Sequence, residues 1–201
     1  MIYNSERLLI EPFTEDLIIE GNYKTWFHNP KVIEFSQRNA FPESDTSLRE
    51  FIKNSLNSRS IILWAIFAKK NPKKFPSLHS WFPIHIGNIS LQQIDLFNRS
   101  AELAIILGEE EYWGEGVAVE AGKFVIEHGF KMLDLNRIYA GTINPAMEKV
   151  CKNIGMEYEG KSRNALFSNL LFHDIQHYSI LYIDWYAKLL REESDKEATK
   201  K

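Results

Sequence analysis

The 201-residue sequence predicts an α+β fold: a mixed, mostly antiparallel sheet of six to seven strands flanked by helices. Three consecutive β-rich runs, Ile61–Ala68, Ile84–Ile94 and Ala101–Leu107, imply a meander of antiparallel pairs. An amphipathic helix then separates Ala101–Leu107 from a further strand, Asn136–Ile143. That step needs a right-handed crossover and one parallel pair. With 44% hydrophobic and 25% charged residues, the chain has the apolar material for a large core.

Each element has a local reason. Ser5–Phe13 is β-rich and closed by Pro12, after which Thr14 is an N-cap with Glu15 and Asp16 in the first turn. Glu15–Phe27 carries Leu17, Ile18, Tyr23, Trp26 and Phe27 at helical spacing, and Pro30 opens a second short helix. Ser44–Asn57 is helical, with Leu48, Phe51, Ile52, Ser55 and Leu56 on one face. Lys69–Pro83, with three prolines and four lysines, is too long for a tight hairpin and forms an elaborated loop. Asp95–Ser100 supplies the next turn. Val117 to about Met132 is a helix whose apolar face runs through Ala118, Ala121, Phe124 and Val125. Pro145–Asn153 is a helix with Gly155 as its C-cap. Met156–Arg163 and Asp174–Asp184 close the sheet through a turn containing Ser168 and Asn169. No repeat or linker divides residues 1–187, so they form one domain, and residues 188–201 are a charged, frayed or disordered tail.

Composition excludes several functions. A net charge of −3 gives no general attraction to nucleic acid. The single cysteine, Cys151, excludes an internal disulfide framework and a multi-cysteine zinc site. No apolar run reaches the ~18 residues of a membrane span, and MIYNSERLLIEPF lacks the pattern of a signal peptide. A cytoplasmic protein with no membrane or nucleic-acid partner, monomeric or homodimeric, is expected. His173 and His177 share a strand face but stand ~13 Å apart at ~3.3 Å per residue, so one metal cannot bridge them, and no metal is expected. His128 reads as a packing residue.

The chemistry lies in Glu111–Ala121, EYWGEGVAVEA. Gly114 and Gly116, directly before an amphipathic helix, let the backbone approach an anion, and the helix N-terminus adds partial positive charge. A helix entry that merely needs flexible residues fits the spacing equally well. A dinucleotide fingerprint fails, because its third glycine position is Val119 and Asp134 precedes its strand instead of ending one. A Walker loop fails for want of Gly-Lys-Ser/Thr.

Tyr112–Ala121 (YWGEGVAVEA) closely resembles the acetyl-CoA pyrophosphate loop of the GCN5-related N-acetyltransferases (GNAT), in their RimJ/RimL-like branch. Glu6-Arg7-Leu8, Ile86-Gly87, Ala101-Glu102-Leu103, Asn136-Arg137-Ile138, Asn144 and Gly155–Gly160 fall at the right intervals around it. The resemblance covers about Ser5 to Trp185. It implies a sheet splayed between strands four and five, acetyl-CoA as cosubstrate, and acetyl transfer to a primary amine, either a protein N-terminus or a small amine such as an amino sugar. It also implies pantetheine pairing with Ile105, Ile106 and Leu107, pyrophosphate on the amides of Gly114, Glu115, Gly116, Val117, Ala118 and Val119, and a hydrogen bond from Asn144. An acetyl-CoA-binding regulatory domain with little or no turnover is the alternative.

The sequence departs from the family at Glu111 and Glu115, where neutral or basic residues are usual, and at Val119, where a hydroxyl is usual. Met147 replaces a serine that protonates the departing thiolate in that branch. Cys151 falls where many relatives carry a tyrosine general acid, so it is expected to be the donor, with packing as the alternative. Glu102 is the expected base, with a solvent-facing strand residue as the alternative. Trp26, Phe27, His173 and Asp174 are expected around the acceptor. Lys69, Lys70, Lys73 and Lys74 are expected either to attract the ribose phosphate or to be solvated.

Overall fold

The computed structural model describes residues 2–20, 22–36, 44–69 and 83–199. The sheet has eight strands: β1 (Tyr3–Asn4), β2 (Leu8–Pro12), β3 (Ile62–Ala68), β4 (Ile84–Asp95), β5 (Ser100–Leu107), β6 (Arg137–Thr142), β7 (Glu157–Ser168) and β8 (Leu171–Leu181). Their spatial order is β1-β2-β3-β4-β5-β6-β8-β7, antiparallel throughout except for β5 beside β6. The eighth strand is Tyr3–Asn4, too short to carry a periodic signal.

The helices are α1 (Asp16–Glu20), α2 (Tyr23–Trp26), α3 (Pro30–Ile33), α4 (Asp45–Asn57), α5 (Val117–Met132), α6 (Pro145–Ile154) and α7 (Tyr182–Thr199). The helix expected over Glu15–Phe27 is thus two short ones. Ser44 caps α4 through the amide of Ser47, and Ser47 answers it, a reciprocal capping box. Asn29 caps α3 through the amide of Lys31 and Asn144 caps α6 through that of Ala146, each with proline in the first turn. The strand expected to reach Asp184 ends at Leu181, where α7 begins, and α7 spans Tyr182–Thr199. Residues 70–82, nearly all of the lysine-rich insertion, lie outside the described residues; Lys69 donates to the Asn4 side chain and the Ser5 carbonyl.

Two apolar clusters lie on opposite faces of the sheet. The larger packs Ile86, Ile89 and Leu91 of β4 and Leu103 of β5 beneath α5 and α6. The smaller packs Ala65 of β3 under α1, α2 and α4, with Trp26, Ile18 and Ile52. A register shift between Ile66 and Phe67 marks a bulge opposite Ile86, the extra residue on β4. The bulge changes the parity of β4, so His85 and Asn88, three residues apart, project to one face.

The N-terminal helices are locked to the end of β5. A Cβ at Gly108 would lie 1.9 Å from the Trp26 ring, so only glycine admits this indole. Trp26 Nε1 then donates to Glu109 at 2.9 Å. Gly108→Ala is therefore expected to lower stability by about 2–3 kcal/mol, through an overpacked contact that fully buried neighbours cannot relieve. Denaturant unfolding measures it; an unchanged midpoint would show that Trp26 is free to move.

Candidate active site

Gly116 is the N-cap of α5 with φ 73°, and Gly114 has φ 80°. Both are left-handed, a conformation that costs other residues ~1–2 kcal/mol. Added Cβ atoms would meet nothing closer than 3.5 Å, so the glycines are required by backbone conformation and leave an open face. The first intrahelical bond runs from Glu120 N–H to Gly116 carbonyl oxygen. The amides of Val117, Ala118 and Val119 precede it without intrahelical acceptors, and no side chain caps them. They form an anion cradle at the positive end of a 16-residue helix.

The acids around this cradle are turned away from it. Glu109 accepts from Asn22 and Trp26, both at 2.9 Å, and Glu110 accepts from Asn29 at 3.0 Å and Lys31 at 2.7 Å. Those donors hold the Glu110 carboxyl below its ordinary pKa. Glu120 accepts from Ser5 and Arg7, and Arg7 also donates to the Glu115 carbonyl at 2.7 Å. The Glu115 side chain is exposed. Arg7, directly before β2, buttresses the loop and is a site residue that sequence reasoning passed over, although it stands in the Glu6-Arg7-Leu8 motif.

Beyond the cradle the sheet opens. β5 pairs with β6 only at Ser100–Arg137, Ala101–Ile138 and Glu102–Tyr139, while β5 continues to Leu107 and β6 to Thr142. Gly108 N–H donates to Ile86 on β4, and ladder alternation sends the main-chain groups of Leu103, Ile105 and Leu107 the other way, into the gap. The Leu107 carbonyl is already taken by Trp113 Nε1 at 2.9 Å. Of the three residues expected at this edge, Ile105 thus presents both its N–H and its carbonyl to the gap, and Leu107 its N–H. Ile106 does not, because its backbone faces β4, although the residue still lines the cleft.

The cleft has a volume of about 460 Å³, the size of a small-molecule site. Its floor is formed by three cross-strand pairs, Asn88–Ile106, Ser90–Ala104 and Gln92–Glu102. Glu102 stands where β5 and β6 part, accepting from Gln92 at 3.1 Å and Gln93 at 2.7 Å. Asn144 and Met147 line the opposite wall, and Asn144 Oδ1 caps α6 through Ala146 N–H at 2.8 Å, which leaves its Nδ2 group for other partners. Phe27 lines the cleft with Tyr23 and Val32.

Four expectations are corrected. Cys151 is fully buried among Ile154, Met156 and Tyr178, away from the cleft, and burial pushes its thiol up to about 11. It packs and does not face a reacting group. Trp26 is 2% exposed behind Gly108 and belongs to the core. His173 bonds the Ser168 carbonyl oxygen at 3.0 Å, and Asp174 is paired with Lys161 at 2.6 Å. Both serve the β7–β8 hairpin instead of the cleft. His177 pairs with Ser162 at 2.8 Å, and His128 packs against Trp64 with its pKa lowered by burial. Among the described residues no cluster of His, Cys, Asp and Glu forms a metal site, and no helix is long and apolar enough to cross a membrane.

The site thus joins a mixed sheet, parted between β5 and β6, to a glycine-turned anion cradle, with the Glu102 carboxylate at the fork. Residues 7–157 match the acetyltransferase (GNAT) domain family, and the chain belongs to it. It is similar to YdaF of Bacillus subtilis (strain 168), provisionally named a ribosomal N-acetyltransferase, with 37% identity over 49% of this chain and 55% of that one. It is 31% identical to spermidine N(1)-acetyltransferase of Escherichia coli (strain K12) over 41% of this chain and 45% of the relative. The matches thus span about half the length of these two relatives. The fold matches RimL, the ribosomal L7/L12 α-N-protein acetyltransferase solved with coenzyme A, at TM-score 0.75 and 16% identity over 90% of this chain and 98% of that one.

Two outcomes follow from this geometry. Gly116→Val is expected to fold but to weaken coenzyme A binding by about 100-fold, since a strained cap disorders amides worth several charge-assisted bonds; calorimetry showing wild-type affinity would remove the cradle from the site. Cys151→Ala should cost about 1–2 kcal/mol as a small cavity and leave turnover at the wild-type level across pH 6–9. A drop in turnover without loss of fold would restore Cys151 as a proton donor.

Proposed function

We propose that this protein transfers the acetyl group of acetyl-CoA directly to a primary amine. The observation that carries this reading is the free edge of β5, which runs from the orphan amides of α5 to the carboxylate of Glu102. The amides of Gly116, Val117, Ala118 and Val119 hold pyrophosphate, and Ile105 and Asn144 Nδ2 bond the pantetheine arm. The mechanism is a single displacement: the amine nitrogen forms a bond to the thioester carbon as the carbon–sulfur bond breaks. Glu102 receives the proton lost by the amine through a bridging water, held in place by Gln92 and Gln93.

Neither Met147 nor buried Cys151 offers the thiolate a proton, so it leaves toward solvent, which its weak basicity allows. The named relatives act on spermidine or carry ribosomal N-acetyltransferase names, and this supports an amine as acceptor. An acetyl-CoA-binding regulatory domain is not favoured, because the cradle, the opened edge and the base occur together.

Coenzyme A release from acetyl-CoA in the presence of an amine panel tests the reading. Glu102→Gln keeps the size of the side chain and should lower kcat by about 10²–10⁴-fold with little change in acetyl-CoA affinity. Wild-type kcat in that variant would exclude Glu102 as the base.

A further inference from the structure

The ladder between β4 and β5 is interrupted beside the carboxylate at the fork. Gln92 pairs with Glu102 and Asp95 with Ser100, so Gln93 and Ile94 on β4 stand against Ala101 alone on β5. This is a β-bulge, and Gln93, its first residue, has φ 51°. Bulges of this left-handed kind ordinarily carry glycine at the first position, because a Cβ is strained there. Here the position holds a glutamine. Ile94 N–H donates to the Ser60 carbonyl at 3.0 Å, which fastens the bulge to the chain leading into β3.

The bulge changes where the side chains go. Successive residues of a regular strand point to opposite faces, so two neighbouring glutamines could not both reach one group on the cleft floor. Gln92 and Gln93 do. They donate to the same oxygen of Glu102, Oε2, from 3.1 and 2.7 Å. An ionised carboxylate only accepts, so each amide must turn its nitrogen toward it. The Gln93 oxygen then faces the Tyr139 hydroxyl at 3.5 Å, and Tyr139 is the register partner of Glu102 on β6. Glu102 lines the cleft, and its second oxygen, Oε1, has no partner among the described residues.

Packing does not account for a glutamine at this point. Gln93 is exposed and belongs to neither apolar cluster. A glycine would close the same bulge without strain. Strained backbone of this kind concentrates at functional sites, where the surrounding structure holds a group in place.

We propose that Gln93 is a positioning residue: its strained bulge aims a second amide at Glu102 Oε2, leaves Oε1 as the oxygen offered to the cleft, and makes the protein less stable than a glycine there would. The inference rests on the acetyltransferase reading with Glu102 as base, and adds to it a function for the bulge. With Gln92 as the only donor, the carboxyl group could rotate and exchange its two oxygens between donor and cleft. Two donors on one oxygen oppose that exchange. The water that carries the amine proton then meets a lone pair in a fixed direction.

The experiment measures stability and turnover on one set of variants, Gln93→Gly, Gln93→Ala and Gln93→Asn, each alone and combined with Glu102→Gln. Denaturant unfolding gives the midpoint, and coenzyme A release with the amine that the wild type uses fastest gives kcat and KM. Gln93→Gly is expected to unfold at a higher midpoint than Gln93→Ala, the reverse of the usual order within a strand. Its kcat should fall by about 10–100-fold while the KM for acetyl-CoA stays within about twofold of wild type. Gln93→Asn suits the left-handed backbone but is one methylene short of Glu102, so it should match Gln93→Gly in turnover, and it serves if the glycine variant folds poorly. In the Glu102→Gln background no Gln93 substitution should lower kcat further, because Gln93 acts through that carboxylate.

Wild-type kcat in Gln93→Gly and Gln93→Asn would overturn the proposal and leave Glu102 as the base. So would a fall that persists undiminished in the Glu102→Gln background, as a general packing defect would give. A Gln93→Gly midpoint below that of Gln93→Ala would also overturn it, since the bulge would then be unstrained. Wild-type kcat in Glu102→Gln alone, or no turnover of any amine by the wild type, would instead overturn the reading on which the positioning role rests.

Discussion

Strand β5 has two neighbours but shares its length with only one of them. Its ladder with β4 runs from Ser100 to Leu107, whereas its ladder with β6 stops after three residues. The crossover through α5 forces β5 and β6 to be parallel, and β6 is held along all six of its residues by β8. Each strand is thus committed to a different half of the sheet, and right-handed twist carries the halves apart. What remains is an edge of main-chain donors and acceptors inside the protein, which water or a ligand must satisfy. The helix whose N-terminus forms the anion cradle is the same crossover that fixes the parallel pair, so one topological choice yields both the cradle and the gap.

The cradle works only if the acidic residues around it are neutralised or directed elsewhere. Glu109, Glu110 and Glu120 are each bound to donors more than 75 positions away in sequence, on the N-terminal segment from Ser5 to Lys31. These bonds do two things at once. They keep carboxylates away from the phosphate site, and they seat α2 and α3 over the sheet, which places Tyr23, Phe27 and Val32 on the cleft wall. The exposed pairs contribute little to stability individually, so their value lies in position. Gly108 sets the register of this seating, because it gives the Trp26 ring room to lie against the chain.

Elements with a local cause were legible in the sequence. The capped helices α4, α5 and α6 start where Ser44, Gly116 and Asn144 fall, and Gly155 ends α6 in a left-handed conformation. The meander β3–β4–β5 and the single parallel pair follow from hydrophobic runs and crossover rules. The Gly-x-Gly loop was legible for the same reason, since a helix N-terminus with left-handed glycines is a property of a few consecutive residues.

The tertiary structure alone decided which side chains meet. Cys151 shares a helix with Asn144 at a spacing that suggests one face, yet the helix axis turns it into the core beside Tyr178. His173 and Asp174 are chemically fit for an acceptor site, but the hairpin satisfies them first. Asn88 gave no signal in the sequence, because its strand reads as buried and its parity depends on a bulge set against β3. Periodicity fixes a residue's direction relative to its own element. A bulge, a splay or a packing angle fixes the direction of the element itself, and each of these arises from contacts between residues far apart in the chain.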